Sequence, residues 1–343
     1  MRTPATIATL ALSLLTFAAC DSGTETETED SLRSVYVYNK TLNFGQCPTH
    51  LCGTNASIGG SISVNIDGKA SNADERLVEV IGPDDAEIDL ELAGNLLWAI
   101  DAQGDTLLGH DLVGTEMVFE NDFSQERTSV YLTEYWPEGV ESKLVPGMFY
   151  PTYEFEFRKH DEPEEVRHDL CTSNTWTEDA DPSELPSNDA IIIQAEAYDW
   201  FGFPVENIDA DGEAESWGTI GCAGGAFAKK VLMGYDVNNP APQDVTRADN
   251  DAMMHMLTAR YCGEDTHTEM GTPMYWQNQK NWFQPPEDLE IEAIWGEDGA
   301  LCLNVPRHAE REEIIALCGE IPTCDDFEPS EHALVSFHAE DPE

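Results

Sequence analysis

"YEFEFR", residues 153–158, decides the fold of the first half of this chain. Tyr153, Phe155 and Phe157 fall on one side, and Glu154, Glu156 and Arg158 on the other. A period of two places alternate side chains on opposite faces, so the stretch reads as an antiparallel strand with one face in a core and one in water. Working outward, "SVYVYN", "SISVNI", "RLVEVIG", "AEIDLEL", "NLLWAI", "TEMVFE" and "SVYLTEYW" share its short length and its β-branched and aromatic residues. Polar punctuation separates them, as in "DAQGD" at 101–105, which reads as a tight turn. Residues 33–165 therefore read as a β-rich domain, wet and acidic on its outer face.

Past a polar, proline-bearing connection at 166–188 the pattern changes. "AIIIQAEAYDW" (190–200) reads as a buried strand. "GGAFAKKVLMGY" predicts a helix from about Gly225, with Phe227, Val231 and Leu232 on one face and Gly234 as its stop. "NDAMMHMLTARYC" predicts a second helix, capped by Asp249 or Asn250, with Met253, Met256, Leu257 and Tyr261 at helical spacing. "LEIEAIWGEDGALCLN" (289–304) reads as a hairpin turning at Glu297–Gly299. "HAEREEIIALCGEIPTC" (308–324) reads as a last helix broken by Gly319. The fold class that follows is α+β: a β-rich region, then a disulfide-stabilised α+β domain at 189–330, then an acidic tail at 331–343.

Charge limits the partners. Sixty-seven acidic residues face 17 basic ones, a formal net charge of -50. Such a chain repels nucleic-acid phosphate and holds no Lys/Arg cluster to contact it, so nucleic-acid binding is excluded. Direct adsorption to anionic lipid is disfavoured for the same reason. The acidity suits a folded protein that stays soluble in high salt, where screening weakens self-repulsion.

The N-terminus, "MRTPATIATLALSLLTFAAC", carries Arg2, an apolar run and a cysteine after two alanines. This is the layout of a short secretory signal and is too short for a confident membrane span. "FAAC" is similar to a bacterial lipoprotein signal, which implies removal of residues 1–19, lipidation of Cys20, and a membrane partner reached through that lipid. Residues 20–32 read as an acidic tether with nothing to bury. Asp21 resembles an inner-membrane retention signal of some bacteria. The expected location is the cell envelope, outside the cytoplasm, periplasmic or at the cell surface.

Besides Cys20 there are eight cysteines: Cys47, Cys52, Cys171, Cys222, Cys262, Cys302, Cys318 and Cys324. An even number in an exported chain reads as disulfides. Cys222 and Cys262 sit at the boundaries of two neighbouring helices and are expected to join each other, in preference to holding a metal or serving as a reactive thiol. Cys47–Cys52 is the expected local pair. Cys302 pairs with Cys318 or Cys324, with Cys318–Cys324 as the rival, and Cys171 takes the partner left over.

Three further features bear on ligands. In "NIDADGEAESW" (207–217), Asn207, Asp209, Asp211 and Glu215 surround Gly212 like the first half of a calcium loop, making calcium the one candidate ion. The closing Glu of such a loop is missing, because Gly218 stands in its place, and an ordinary acidic turn is the competing reading. Tyr275, Trp276, Trp282 and Phe283 form an aromatic cluster that reads either as a protein- or carbohydrate-binding patch or as core plus lid. No H-E-x-x-H, G-x-S-x-G or P-loop pattern occurs, and no cofactor is implied.

The block Gly221–Asp236, "LTARYCGEDTHTEMGTPMYW" (257–276), "AIWGEDGALCLNVPR" (293–307) and "CGEIPTC" (318–324) together resemble the ADYC domain. That family consists of exported proteins, many of them lipoproteins of myxobacteria and their relatives. Its naming tetrapeptide stands here as Ala259-Arg260-Tyr261-Cys262, with Arg in place of the usual Asp. "CPTHLCGTNASIGG" (47–60) is similar to a segment such proteins carry ahead of the domain. The resemblance implies a domain and a compartment and carries no catalytic residues with it. The function expected is a non-enzymatic binding or structural module of the envelope. The competing class is an extracytoplasmic hydrolase built from carboxylates such as Asp199, Asp209 or Asp265.

Overall fold

The computed structural model describes residues 61–70, 75–142, 147–171, 189–196, 214–222, 225–236, 245–263, 265–268, 275–278, 289–325, 327 and 334–338. Its largest sheet is antiparallel throughout. In chain order its strands are β1 (Ser61–Asn65), β2 (Glu75–Ile81), β6 (Glu116–Asn121), β7 (Arg127–Glu141), β8 (Phe149–Lys159), β9 (His168–Asp169), β10 (Asp189–Gln194) and β11 (Trp217–Cys222). They lie side by side as β1-β11-β10-β8-β7-β6-β2, with β9 sharing the edge of β8 that β10 also uses. β6, β7 and β8 form a meander. β10 and β11, from beyond the polar connection, extend it, so one sheet runs across the boundary expected at 166–188.

The alternation of "YEFEFR" is realised on β8: Tyr153, Phe155 and Phe157 are no more than 2% exposed, while Glu154, Glu156 and Arg158 are half-buried. The face of Tyr153 is covered by a small meander of β3 (Asp89–Ala93), β4 (Leu96–Ile100) and β5 (Thr106–Leu108). Leu90, Leu92, Leu97 and Ala99 enter the shared core with Val130, Leu132, Ile192 and Ile220. Polar stitches fix the small meander in register. Leu97 N donates to the Tyr153 hydroxyl at 3.0 Å, and Asn95 Nδ2 donates to Ile192 O at 2.7 Å. Gly94 N donates to Gln194 Oε1 at 2.7 Å. The first two bonds satisfy groups that the core would otherwise strand away from water.

On the opposite face, Ile191 and Ile193 of β10 pack with α1 (Ala226–Leu232) and α2 (Arg247–Thr258). α1 buries Phe227 and Val231 completely, and Gly234 (φ +81°) follows its end as expected. α2 starts earlier than the sequence suggested. Its N-cap is Thr246, whose hydroxyl accepts from Asp249 N at 3.2 Å while Asp249 Oδ2 accepts from Thr246 N at 2.8 Å. Asp249 is thus the reciprocal member of a capping box instead of the cap itself.

The remaining strands, β12 (Tyr275–Asn278), β13 (Ile291–Gly296), β14 (Gly299–Leu303) and β15 (Leu334–Phe337), form a second antiparallel sheet ordered β12-β15-β13-β14. β13 and β14 are the expected hairpin. β15 corrects the expectation of an acidic tail at 331–343. Leu334 and Ser336 are at most 1% exposed, and Ser336 Oγ accepts from Trp295 Nε1 at 2.7 Å. α3 (Arg311–Cys318) ends at Gly319, as the sequence suggested. Among the described residues no helix is long and apolar enough to cross a membrane.

Candidate functional site

Two buried polar networks stand out, and both belong to the helical half. The first is built by the tetrapeptide after α2. Ala259 takes the left-handed conformation (φ +48°) that ends the helix. The turn delivers Tyr261, 1% exposed, onto Trp295 with ring centroids 5.2 Å apart and planes at 24°. The Tyr261 hydroxyl donates to Glu292 Oε1 at 2.8 Å and accepts from Arg307 N at 2.9 Å. Arg307 Nε donates to the same Glu292 carboxylate at 2.9 Å, and its Nη2 donates to Met256 O in the last turn of α2 at 2.7 Å. Burial first, and then the Glu292 carboxylate, hold the Tyr261 pKa well above the phenol range, so it remains a donor. Cys262 is tied to Cys318 of α3. Gly299 (φ +120°) seats the β13–β14 hairpin against the same turn, because a Cβ there would lie 2.6 Å from Tyr261 O.

Arg260 is 2% exposed. Burial, with Arg260 as the next cause, lowers the pKa of His255. His255 is 9% exposed and belongs to the helix interior. The motif is therefore a joint: a helix end, a stacked ring, a buried ion pair and a cystine meeting at one turn.

The second network was missed from sequence. Lys230 of α1 is fully buried, and its Nζ donates to Glu196 Oε2 and, at 2.6 Å, to Asn250 Oδ1 of α2. Glu196, 1% exposed, follows β10 at a turn in which Ala195 has φ +56°. Arg247 Nη2 donates to Ala195 O at 3.2 Å, and Thr219 Oγ1 to Glu196 O at 2.9 Å. Burial lowers the Lys230 pKa, an effect that Glu196 offsets only in part. Asp251 lies nearby; burial raises its pKa from 3.8 to about 6, opposed by Arg247 and Lys230. Asn250 Nδ2 and Asp251 Oδ1 are buried with no hydrogen-bond partner among the described residues. A desolvated lysine is a potential nucleophile. This one is closed off from solvent and bonded to Glu196 and Asn250, so the geometry makes it a fastener between sheet, α1 and α2. The signal was present: Phe227, Lys230 and Val231 stand at i, i+3 and i+4, which puts the lysine on the apolar face.

Cys171–Cys222, Cys262–Cys318 and Cys302–Cys324 are bridged, with Cα atoms 5.4, 5.7 and 5.1 Å apart. The expected Cys222–Cys262 bridge is replaced. Cys222 ends β11 in the core shared with the small meander, where Cys171 also lies, whereas Cys262 leaves α2 toward α3. Cys302 takes Cys324, one of its two expected partners. Cys20, Cys47 and Cys52 lie outside the described residues.

Of the calcium-loop candidates, Asn207, Asp209 and Asp211 lie outside the described residues. Glu215 is exposed in a short 3-10 turn, and its carbonyl accepts from Gln194 Nε2 at 3.1 Å. Among the described residues no group of three or more His, Cys, Asp or Glu converges on a possible metal position. Trp276 is 3% exposed and meets Tyr235 edge-on at 5.9 Å, so it belongs to the core and not to an exposed binding patch. Tyr275 beside it is half-buried; Trp282 and Phe283 lie outside the described residues. Asp265 is exposed, and Asp199 lies outside the described residues. A carboxylate row that the sequence did not pick out crosses the main sheet, where Glu154 stands opposite Glu134 on one side and Asp189 on the other. Burial, then these like-charged neighbours, raise the Glu154 pKa.

The family model of the ADYC domain matches residues 109–309. The match covers more than half of the chain, from the middle of the strand-rich region to the loop before α3. No curated protein and no solved structure matches the chain.

Proposed function

Because the chain belongs to the ADYC-domain family, we propose that it is an exported, lipid-anchored protein of the cell envelope whose domain is a non-catalytic binding or structural module. The observation that carries this reading is the set of three bridges, Cys171–Cys222, Cys262–Cys318 and Cys302–Cys324. Such bridges persist in oxidising compartments and are rare in the cytosol. The membrane partner is reached through a lipid on Cys20. Support for a non-catalytic role comes from the buried Lys230–Glu196 and Arg307–Glu292 pairs, each of which holds separate elements together.

Mass spectrometry of the native, membrane-extracted protein tests the proposal, first intact and then as non-reduced peptides. The expected result is a mature N-terminus at lipidated Cys20 with the three bridges intact and Cys47 joined to Cys52. An unprocessed N-terminus, or a free Cys222 or Cys262 in the exported protein, would overturn it.

A further inference from the structure

The central strand of the small meander, β4, is apolar on both faces, although only one of them is in a core. Leu90, Leu92, Leu97 and Ala99 point inward. By strand alternation Leu96, Trp98 and Ile100 of β4 point outward, and the register sets Leu108 of β5 beside Trp98 and Ala93 of β3 beside Leu96. Leu96 is 40% and Leu108 53% exposed, and Trp98 and Ile100 are half-buried. A central strand that is apolar throughout, like "LLWAI", is the pattern of a strand covered on both sides. An apolar patch framed by polar residues marks an interaction surface.

The frame has one sign. On the same outward face Asp89 stands opposite Ile100 and Glu91 opposite Trp98. Between Leu77 and Glu126 there is no Lys or Arg, and there are thirteen Asp or Glu. A second copy of the chain would set these carboxylates against their like across a two-fold axis, with a net charge of -50 on each side. Anionic lipid would meet the same repulsion. A partner with apolar side chains at its centre and cations around them matches both halves of the surface.

We propose that the outer face of this sheet, centred on Leu96, Trp98 and Leu108, docks a basic protein segment whose apolar side chains are flanked by Lys or Arg. The face precedes the family-matched stretch, residues 109–309. The inference rests on the binding-module reading but is independent of the anchor and of export. It is tested on purified full chain, so its failure leaves the mass-spectrometric result untouched.

The probe is a fluorescently labelled synthetic peptide alternating leucine and lysine, with a serine–lysine peptide of equal length and charge as control, followed by fluorescence anisotropy. The leucine–lysine peptide is expected to bind about tenfold or more tightly than the control. The double variant Leu96→Ser/Leu108→Ser should lose about tenfold of that affinity, the scale of truncating interface anchors. Both positions are exposed, so its urea midpoint should match the parent, and Trp98→Ala provides a second, independent truncation. Equal binding of the two peptides would reduce the surface to charge alone and overturn the proposal. So would unchanged affinity in both variants. Two other outcomes would assign the face elsewhere and equally overturn it: dimerisation by sedimentation, or adsorption to phosphatidylglycerol vesicles, abolished in either case by the double variant.

Discussion

Replacing Lys230 by Met tests whether the buried ammonium is a structural counter-ion. Methionine keeps most of the aliphatic stem, so the packing of α1 against the sheet changes little and the charge alone is lost. The hydrogen bonds to Glu196 and to Asn250 Oδ1 go with it. What remains is Glu196 at 1% exposure with Asp236, fully buried, close by. Removing one partner of a buried pair and leaving the other charged costs about 3–5 kcal/mol. At about 2–4 °C per kcal/mol, the melting temperature should fall by roughly 6–20 °C. Thermal melts followed by circular dichroism with the disulfides intact, and urea titrations alongside, would read this. The double variant Lys230→Met/Glu196→Gln should recover part of the loss, because the carboxylate that the ammonium contacts is then neutral while Asp236 stays buried. If the single variant stays within about 0.5 kcal/mol of the parent, or the double variant is no better than the single, Lys230 is not the fastener described.

Asp251 gives a pH signature: with its native pKa raised from 3.8 to about 6, the folded chain holds that proton more tightly than the unfolded one. Its contribution is favourable below the unfolded value and fades as pH rises through about 6, by about 3 kcal/mol at ~1.4 kcal/mol per unit. In Asp251→Asn that downward slope in urea midpoints should disappear; an unchanged slope would place the titration on another group. Tyr261→Phe removes one donor to Glu292 and the acceptor of the Arg307 amide, and should cost about 1–3 kcal/mol in a chemical melt, with a neutral result arguing against the joint. Cys171→Ser/Cys222→Ser opens a loop with a sequence separation of 51 and should cost about 4 kcal/mol by loop-closure entropy, measured against the parent under non-reducing conditions.

Period-two alternation was enough to read β8, because that strand carries one wetter face and one dry face, whereas β6 and the first half of β7 are buried on both faces and were legible from their β-branched and aromatic residues. Helix α1 was legible from Phe227 and Val231 and from its glycine stop. Other features depend on contacts that a local window does not contain. Cys222 was assigned to Cys262 because both flank helices, and only the burial of Cys171 in the same core shows where Cys222 points. Glu196 reads as the polar end of a buried strand until Lys230 is brought to it from 34 residues away. β15 is four residues long and sits among acidic neighbours, so composition outweighed its Leu334/Ser336 alternation. The motif Ala259–Cys262 could be found by resemblance. Its role as a joint could not, because Glu292 and Arg307 come from separate elements.

β15 acts as a keystone, and that bears on the order in which the molecule can be completed. It lies between β12 and β13, each of which precedes it in the chain by many residues. During N-to-C synthesis both neighbours emerge with an open edge facing a gap that only the later segment fills. An unfilled gap of this kind is a template for the wrong strand, from the same chain or another. A polypeptide interrupted after Phe327 would therefore lose the middle of a sheet, and a reporter inserted there would separate the keystone from its arch.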